Sequence, residues 1–223
     1  MIDKRVASVG EALAGLTDGM TVLVGGFGEA GVPLTLLAGV LESGVRDLTI
    51  VSNNAGTGDG GLAALLRERR IRKIICSYPR SAGSRWFEQR YREGAVELEL
   101  VPQGTLSERM RCAGAGLQGF LTIVGTGTEL AAGRQQLELD GRTVLLERPL
   151  PGDFALIDAG AGDRWGNLTY RKTARNFGPV MATAATITVA QVRAYRELGA
   201  LDPESIVTPG IFVDRMLVVE HAP

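Results

Sequence analysis

The sequence predicts an α/β fold: an open, largely parallel sheet flanked by helices, with a smaller β-rich annex in the C-terminal third. Three observations carry this. Short apolar runs alternate with helix-like segments over the first two-thirds of the chain, and alternation at that spacing requires crossover units. The runs are rich in β-branched residues and bounded by Gly, Asp or Pro, as strands are. After "VPQGTLSERMRCAGAG" the rhythm shifts to short strands separated by turn formers. With 223 residues the chain can bury roughly 70 % of the surface its unfolded form exposes, enough for one large domain, alone or with a small annex.

In chain order, "SVGEALAGL" opens the first helix with the capping-box spacing of Ser8 and Glu11. "TVLV" (21–24) is the first core strand. "PLTLLAGVLESG" starts at Pro33 and stops at Gly44, as a helix with proline at its entry and glycine at its exit does. "LTIVS" (48–52) is the next strand, and "GLAALLRERR" a helix whose terminal cations suit its C-terminal end. "KIICS" (73–77) and "VELELV" (96–101) complete the first set of strands. In "DGRTVLLERPLPGDFALIDAGAGDRWGNLTYR", the turn formers Asp140-Gly141, Pro149, Pro151 and "DRWGN" predict hairpins. "AATITVAQV" adds a buried strand and "VTPGIFVDRMLVV" a last one.

Composition excludes several classes of function. Lys and Arg number 24 against 25 Asp and Glu, so there is no basic footprint for nucleic acid. No apolar stretch reaches membrane-span or signal-peptide length, which predicts a cytoplasmic protein without a membrane partner. Cys76 and Cys112 form no CxxC pair and read as packing residues. His221 is the sole histidine and lies near the C-terminus, so neither a Ser-His-Asp relay nor a His-rich metal site is expected.

"VGGFGEAGVP" (24–33) places four glycines around Phe27 directly after a strand. Gly26, Gly28 and Gly31 fit GxGxxG, but "SNNAG" stands where a dinucleotide site needs its ribose-binding acid. Val32 and Pro33 stand where a P-loop needs Lys and a hydroxyl. What remains is a set of bare N–H groups at a helix N-terminus, suited to a carboxylate, phosphate or developing oxyanion. Asn53, Asn54 and Gln103 follow other strands, and carboxamides can hold carbonyl and carboxylate groups without adding charge. A nucleotide-dependent oxidoreductase, a hydrolase and a non-catalytic assembly subunit remain open on these residues alone.

"DGMTVLVGGFGEAGVP" (18–33), with "SNNAG", "VPQGTLSERMR", "GDFALI", "DRWGNLTYRKTARNFGP" and "VTPGIFV" in order, resembles the A subunit of family I coenzyme A transferases, notably the 3-oxoacid and 3-oxoadipate enzymes. The resemblance covers nearly the whole chain and implies one A-subunit domain over 1–223. It implies CoA transfer from succinyl-CoA to a 3-oxoacid, 3-oxoadipate ahead of acetoacetate. It further implies a B-subunit partner, with heterodimers pairing into a heterotetramer. The glutamate that becomes a glutamyl-CoA thioester belongs to the B subunit, so no catalytic residue is expected in this chain. No metal and no cofactor beyond the CoA thioester substrate is implied.

By the same resemblance, Asn53 and Gln103 face the 3-oxoacid and Asn54 braces the strand end. Gly25, Gly26, Phe27 and Gly28 wall the site as an oxyanion or CoA-proximal loop. Glu29 is expected to be a solvated or interface residue, and Trp86 and Trp165 packing residues. Arg171, Lys172 and Arg175 are candidates for CoA phosphates or a far carboxylate, or else a charged hairpin edge. Thr126 and Ile123 depart from the family pattern, which has an aromatic residue and a proline there.

Overall fold

The computed structural model describes residues 2–81 and 83–219. Its strands are β1 (Arg5–Val6), β2 (Thr21–Val24), β3 (Leu48–Ser52), β4 (Ile71–Cys76), β5 (Glu97–Leu100), β6 (Phe120–Thr122), β7 (Gln136–Leu139), β8 (Arg142–Glu147), β9 (Gly152–Gly162), β10 (Leu168–Thr169), β11 (Ala185–Tyr195) and β12 (Arg215–Val218). Its helices are α1 (Val9–Ala12), α2 (Leu34–Ser43), α3 (Gly61–Arg67), α4 (Arg85–Arg92), α5 (Gln103–Gly114) and α6 (Gly178–Thr183).

The main sheet runs β1-β12-β11-β9-β2-β3-β4-β5, with β10 folded back on β9. Every pairing along that path is parallel; only β10 is antiparallel. Because side chains alternate across a strand, β2 sends Val22 and Val24 into one core and Leu23 into the other. Helices α1–α4 cover the first face through Ala12, Leu36, Leu65 and Phe87. The second face is covered by α5 and α6 through Leu106, Met110 and Met181. Both thiols are buried, Cys76 against the first face and Cys112 on α5.

Local chemistry fixes the element ends. Ser8 Oγ accepts the Glu11 N–H at 3.1 Å, and Glu11 Oε2 reaches back to the Ala7 N–H at 2.8 Å, one residue earlier than the reciprocal bond of a capping box. Gly44 closes α2 at φ 79°, a left-handed backbone that glycine adopts at least cost.

The annex is the antiparallel sheet β6-β8-β7, turned at Asp140 and Gly141 with φ of 49° and 72°, as a two-residue hairpin requires. It ends at Glu147, before the last third of the chain. The hairpin reading of "PGDFALI" is thereby corrected: that stretch belongs to β9, which enters the main sheet between β2 and β11. Pro149 and Pro151 mark the passage between sheets. Only the "DRWGN" turn makes a hairpin there, joining β9 to β10. Arg109 on α5 ties the annex to the sheet edge, donating to the Arg148 carbonyl at 2.9 Å and pairing with Glu99 at 2.8 Å. Among the described residues no helix is long and apolar enough to cross a membrane.

Candidate functional site

The strands β2, β3, β4 and β5 are consecutive neighbours in the sheet, so their carboxyl ends form one row. Ligands of open α/β sheets lie outside such ends where the strand order reverses. Here the reversal lies between β2 and β9, and the glycine loop follows β2 directly. A hollow of about 320 Å³ opens there, lined by Gly25, Gly26, Gly28, Asn53, Asn54 and the 56–62 segment.

Asn53 stands at the end of β3 and is 6 % exposed. Its Oδ1 accepts from Gln103 Nε2 at 2.7 Å and from Ser77 Oγ at 2.8 Å. Its main-chain carbonyl accepts the N–H groups of Ser77 and Tyr78. With Oδ1 taken twice, the network sets the carboxamide orientation and leaves Nδ2 as the side chain's unengaged donor among the described residues. Three strand ends thus meet at one amide: Asn53 after β3, Ser77 after β4, Gln103 after β5. Gln103 is the first residue of α5; it reaches the hollow through Asn53 rather than lining it. Sequence reasoning missed Ser77, because a serine after a strand carries no signal until the strand order is known.

Asn54 fastens the neighbouring loop. Its Oδ1 accepts the Gly56 N–H at 2.8 Å and its Nδ2 lies 3.4 Å from the Gly28 carbonyl. Ser84 Oγ holds the same segment through the Gly56 carbonyl at 3.1 Å.

Backbone accounting in the glycine loop revises the expected donors. Gly25 N–H donates to the Leu156 carbonyl at 3.0 Å, Gly26 N–H to Asn176 Oδ1 at 2.8 Å, and Phe27 N–H to the Ala30 carbonyl at 3.0 Å. Of the four loop residues expected at the site, only Gly28 keeps its N–H free of partners within the described residues. The Glu29 N–H is also unengaged, and both residues line the hollow. Phe27 does not line it; its ring is half exposed beside a tight turn closed with Ala30.

The helix-terminus part of the expectation is corrected as well. At the start of α2, the Thr35 and Leu36 N–H groups donate to Gln191 Oε1 at 3.1 and 3.3 Å. Gln191 is buried and its Nε2 donates to buried Asp158 at 2.8 Å. Pro33 offers no side-chain cap, so a glutamine from β11 takes that role and removes two donors that an anion would need. Some 155 residues separate the partners, which is why spacing gave no hint of it.

Other candidates fall as follows. Glu29 is exposed and accepts from Thr57 Oγ1 at 3.0 Å across the mouth of the hollow. Burial pushes the Cys76 thiol up to about 12, so it stays protonated and is no nucleophile. Arg171, Lys172 and Arg175 are exposed on a short 3-10 turn next to the glycine loop, where the Ala174 carbonyl crowds Gly31. Trp86 packs against the core and donates to Asp59 at 2.8 Å. Trp165, expected to pack, is instead 45 % exposed on the β9–β10 hairpin. Thr126 lies in the annex, bonded to the Ile123 carbonyl. His221 lies outside the described residues.

The coenzyme A transferase family model matches residues 6–219. The chain is 56 % identical over 222 residues to the A subunit of 3-oxoadipate CoA-transferase of Pseudomonas putida, covering 100 % of this chain and 96 % of that one. It is 47 % identical over 216 residues to the A subunit of succinyl-CoA:3-ketoacid coenzyme A transferase of Xanthomonas campestris pv. campestris, covering 96 % and 88 %. Its backbone matches an acyl-CoA transferase from Escherichia coli O157:H7, solved as a thioester complex with CoA. That match has a TM-score of 0.83 at 23 % identity, covering 98 % of this chain and 47 % of the other, about half its length. The structural match speaks for the fold; the family match and the near-full-length relatives together establish that this chain belongs to the coenzyme A transferase family.

Proposed function

We propose that this chain is the A subunit of a cytoplasmic 3-oxoacid CoA-transferase, working as one domain over 1–223 and moving CoA from succinyl-CoA to a 3-oxoacid. The higher identity to the 3-oxoadipate relative than to the 3-ketoacid relative favours 3-oxoadipate, with acetoacetate next. A B subunit supplies the glutamate that attacks the acyl-CoA and carries the glutamyl-CoA thioester, and the heterodimers pair into a heterotetramer. Carboxylate nucleophiles of this kind work without a metal or organic cofactor.

The observation that carries this reading is the Asn53 carboxamide. Gln103 and Ser77 saturate its oxygen, which leaves Nδ2 as its remaining donor, and Asn53 lines one hollow together with Gly28 and Glu29, whose N–H groups are unengaged. Each tetrahedral intermediate in acyl transfer puts negative charge on a former carbonyl oxygen, and fixed donors aimed at that charge stabilise it without reorganising. In this reading Asn53 supplies a side-chain donor, Gly28 and Glu29 supply backbone donors, and Asn54 keeps the loop in place.

The test is reconstitution with the B subunit. The co-expressed pair is expected to transfer CoA from succinyl-CoA to 3-oxoadipate faster than to acetoacetate, with the CoA adduct on the partner chain by mass spectrometry. Full-rate transfer by the isolated B subunit, or an adduct on this chain, would overturn the assignment.

A further inference from the structure

We infer that Asn176 is a positioning residue that pins both feet of the glycine loop, an inference that rests on the transferase reading of the hollow. Asn176 Oδ1 accepts the Gly26 N–H at 2.8 Å, while Nδ2 donates to the Ala30 carbonyl at 3.1 Å. Gly26 and Ala30 flank the turn in which Phe27 and Ala30 exchange hydrogen bonds of 3.0 and 3.1 Å. One carboxamide therefore bridges the entry and exit of the segment that carries the unengaged Gly28 and Glu29 N–H groups.

The same side chain is anchored on its own segment. Oδ1 also accepts the Phe177 N–H at 2.6 Å, and Nδ2 also donates to the Ala174 carbonyl at 2.9 Å. Asn176 has φ 23° and ψ −121°, a positive-φ backbone outside the left-handed helical well that glycine enters most readily. The two segments approach so closely that a Cβ on Gly31 would run into the Ala174 carbonyl and lie 2.5 Å from Asn176 Nδ2. A carboxamide carries its donor and its acceptor on two separate atoms, so Asn176 can hold Gly26 and Ala30 at the same time. Fixed loop N–H groups stabilise developing charge only while the loop keeps its shape.

The experiment uses the co-expressed pair carrying Asn176→Gly, which suits the positive-φ backbone but removes the clamp. A misplacement of about 1 Å can cost about 100-fold, so kcat is expected to fall about 10- to 100-fold, with KM for succinyl-CoA moving less than about threefold. Amide exchange should speed up over 26–32 and stay slow in β2 and β9. Asn176→Asp keeps the acceptor for the Gly26 N–H and loses the donor to the Ala30 carbonyl, so its kcat should fall between those of the wild type and Asn176→Gly.

A kcat within about twofold of the wild type, or amide exchange over 26–32 unchanged from the wild type, would overturn the inference. Should Asn176→Gly fail to assemble, Asn176→Asp alone carries the same readouts. An inactive wild-type pair would count against the transferase reading instead, and the exchange measurement would still decide the clamp.

Discussion

Replacing Asn53 by aspartate exchanges its Nδ2 donor for an oxygen and adds a negative charge, and so tests the role assigned to Nδ2. The aspartate keeps an oxygen where Gln103 Nε2 and Ser77 Oγ donate at 2.7 and 2.8 Å, so the fold and the local network should survive. At the position of Nδ2 it puts an acceptor where the reading needs a donor. Loss of one oxyanion donor costs about 2.7–4 kcal/mol, or about 100- to 1,000-fold in kcat. Loss of a merely structural hydrogen bond would cost about 1 kcal/mol, near fivefold. The gap between these figures is what makes the variant informative. The assay is the rate of 3-oxoacyl-CoA formation by the co-expressed pair, with thermal melts to confirm assembly. A kcat within about fivefold of the wild type, by the lower of those figures, would refute Asn53 as a donor to the reacting oxygen.

Gln103→Ala and Ser77→Ala should each lower turnover about fivefold or less, because the other residue still holds Asn53 Oδ1, whereas the double variant should lose more than the product of the two; steady-state rates for the four proteins check this. Glu29→Gln should leave the thioester half-reaction nearly intact, as read by CoA-adduct mass spectrometry, since Glu29 only meets Thr57 at the mouth of the hollow. Glu99 should contribute to acid sensitivity: burial raises its pKa, but bonds from Lys73 and Arg109 outweigh that and hold it below the ordinary 4.5. A lowered folded-state value means the stabilisation is present above pH 4.5 and is lost as the pH falls through the folded value. Urea melts of Glu99→Gln should therefore show a flatter loss of stability on acidification than the wild type.

Much of the fold was legible because local rules and tertiary demand agree. Residues 21–24 and 48–52 form strands with the boundaries their apolar runs suggest, and the helix from Leu34 ends at Gly44. Where the two disagree, the sequence misleads. Helix α4 is only eight residues long and sets Trp86, Phe87 and Tyr91 among five polar or charged residues, too short a run for a helical period to stand out. Helix α5 carries Leu106, Met110 and Ala113 at helical spacing, a signal hidden behind "PQGT", which reads as a loop. Strand β9 reads as part of a hairpin because Pro149 and Pro151 precede it and "DRWGN" follows it; pairing on both edges and burial on both faces remove the alternation that would mark a sheet surface.

The sequence by itself determined the strand–helix alternation, the glycine loop, the carboxamides at strand ends and the single histidine, at position 221. Each is a matter of residue type and short-range spacing. Only the tertiary structure decided which loop N–H groups stay unengaged and which way the Asn53 amide turns. Those outcomes depend on Asn176, Gln191, Ser77 and Gln103, whose hydrogen bonds cross 24 to 156 residues. Strand order, not proximity in the chain, sets which distant polar group reaches a given amide, and a buried amide must be satisfied by whichever group arrives.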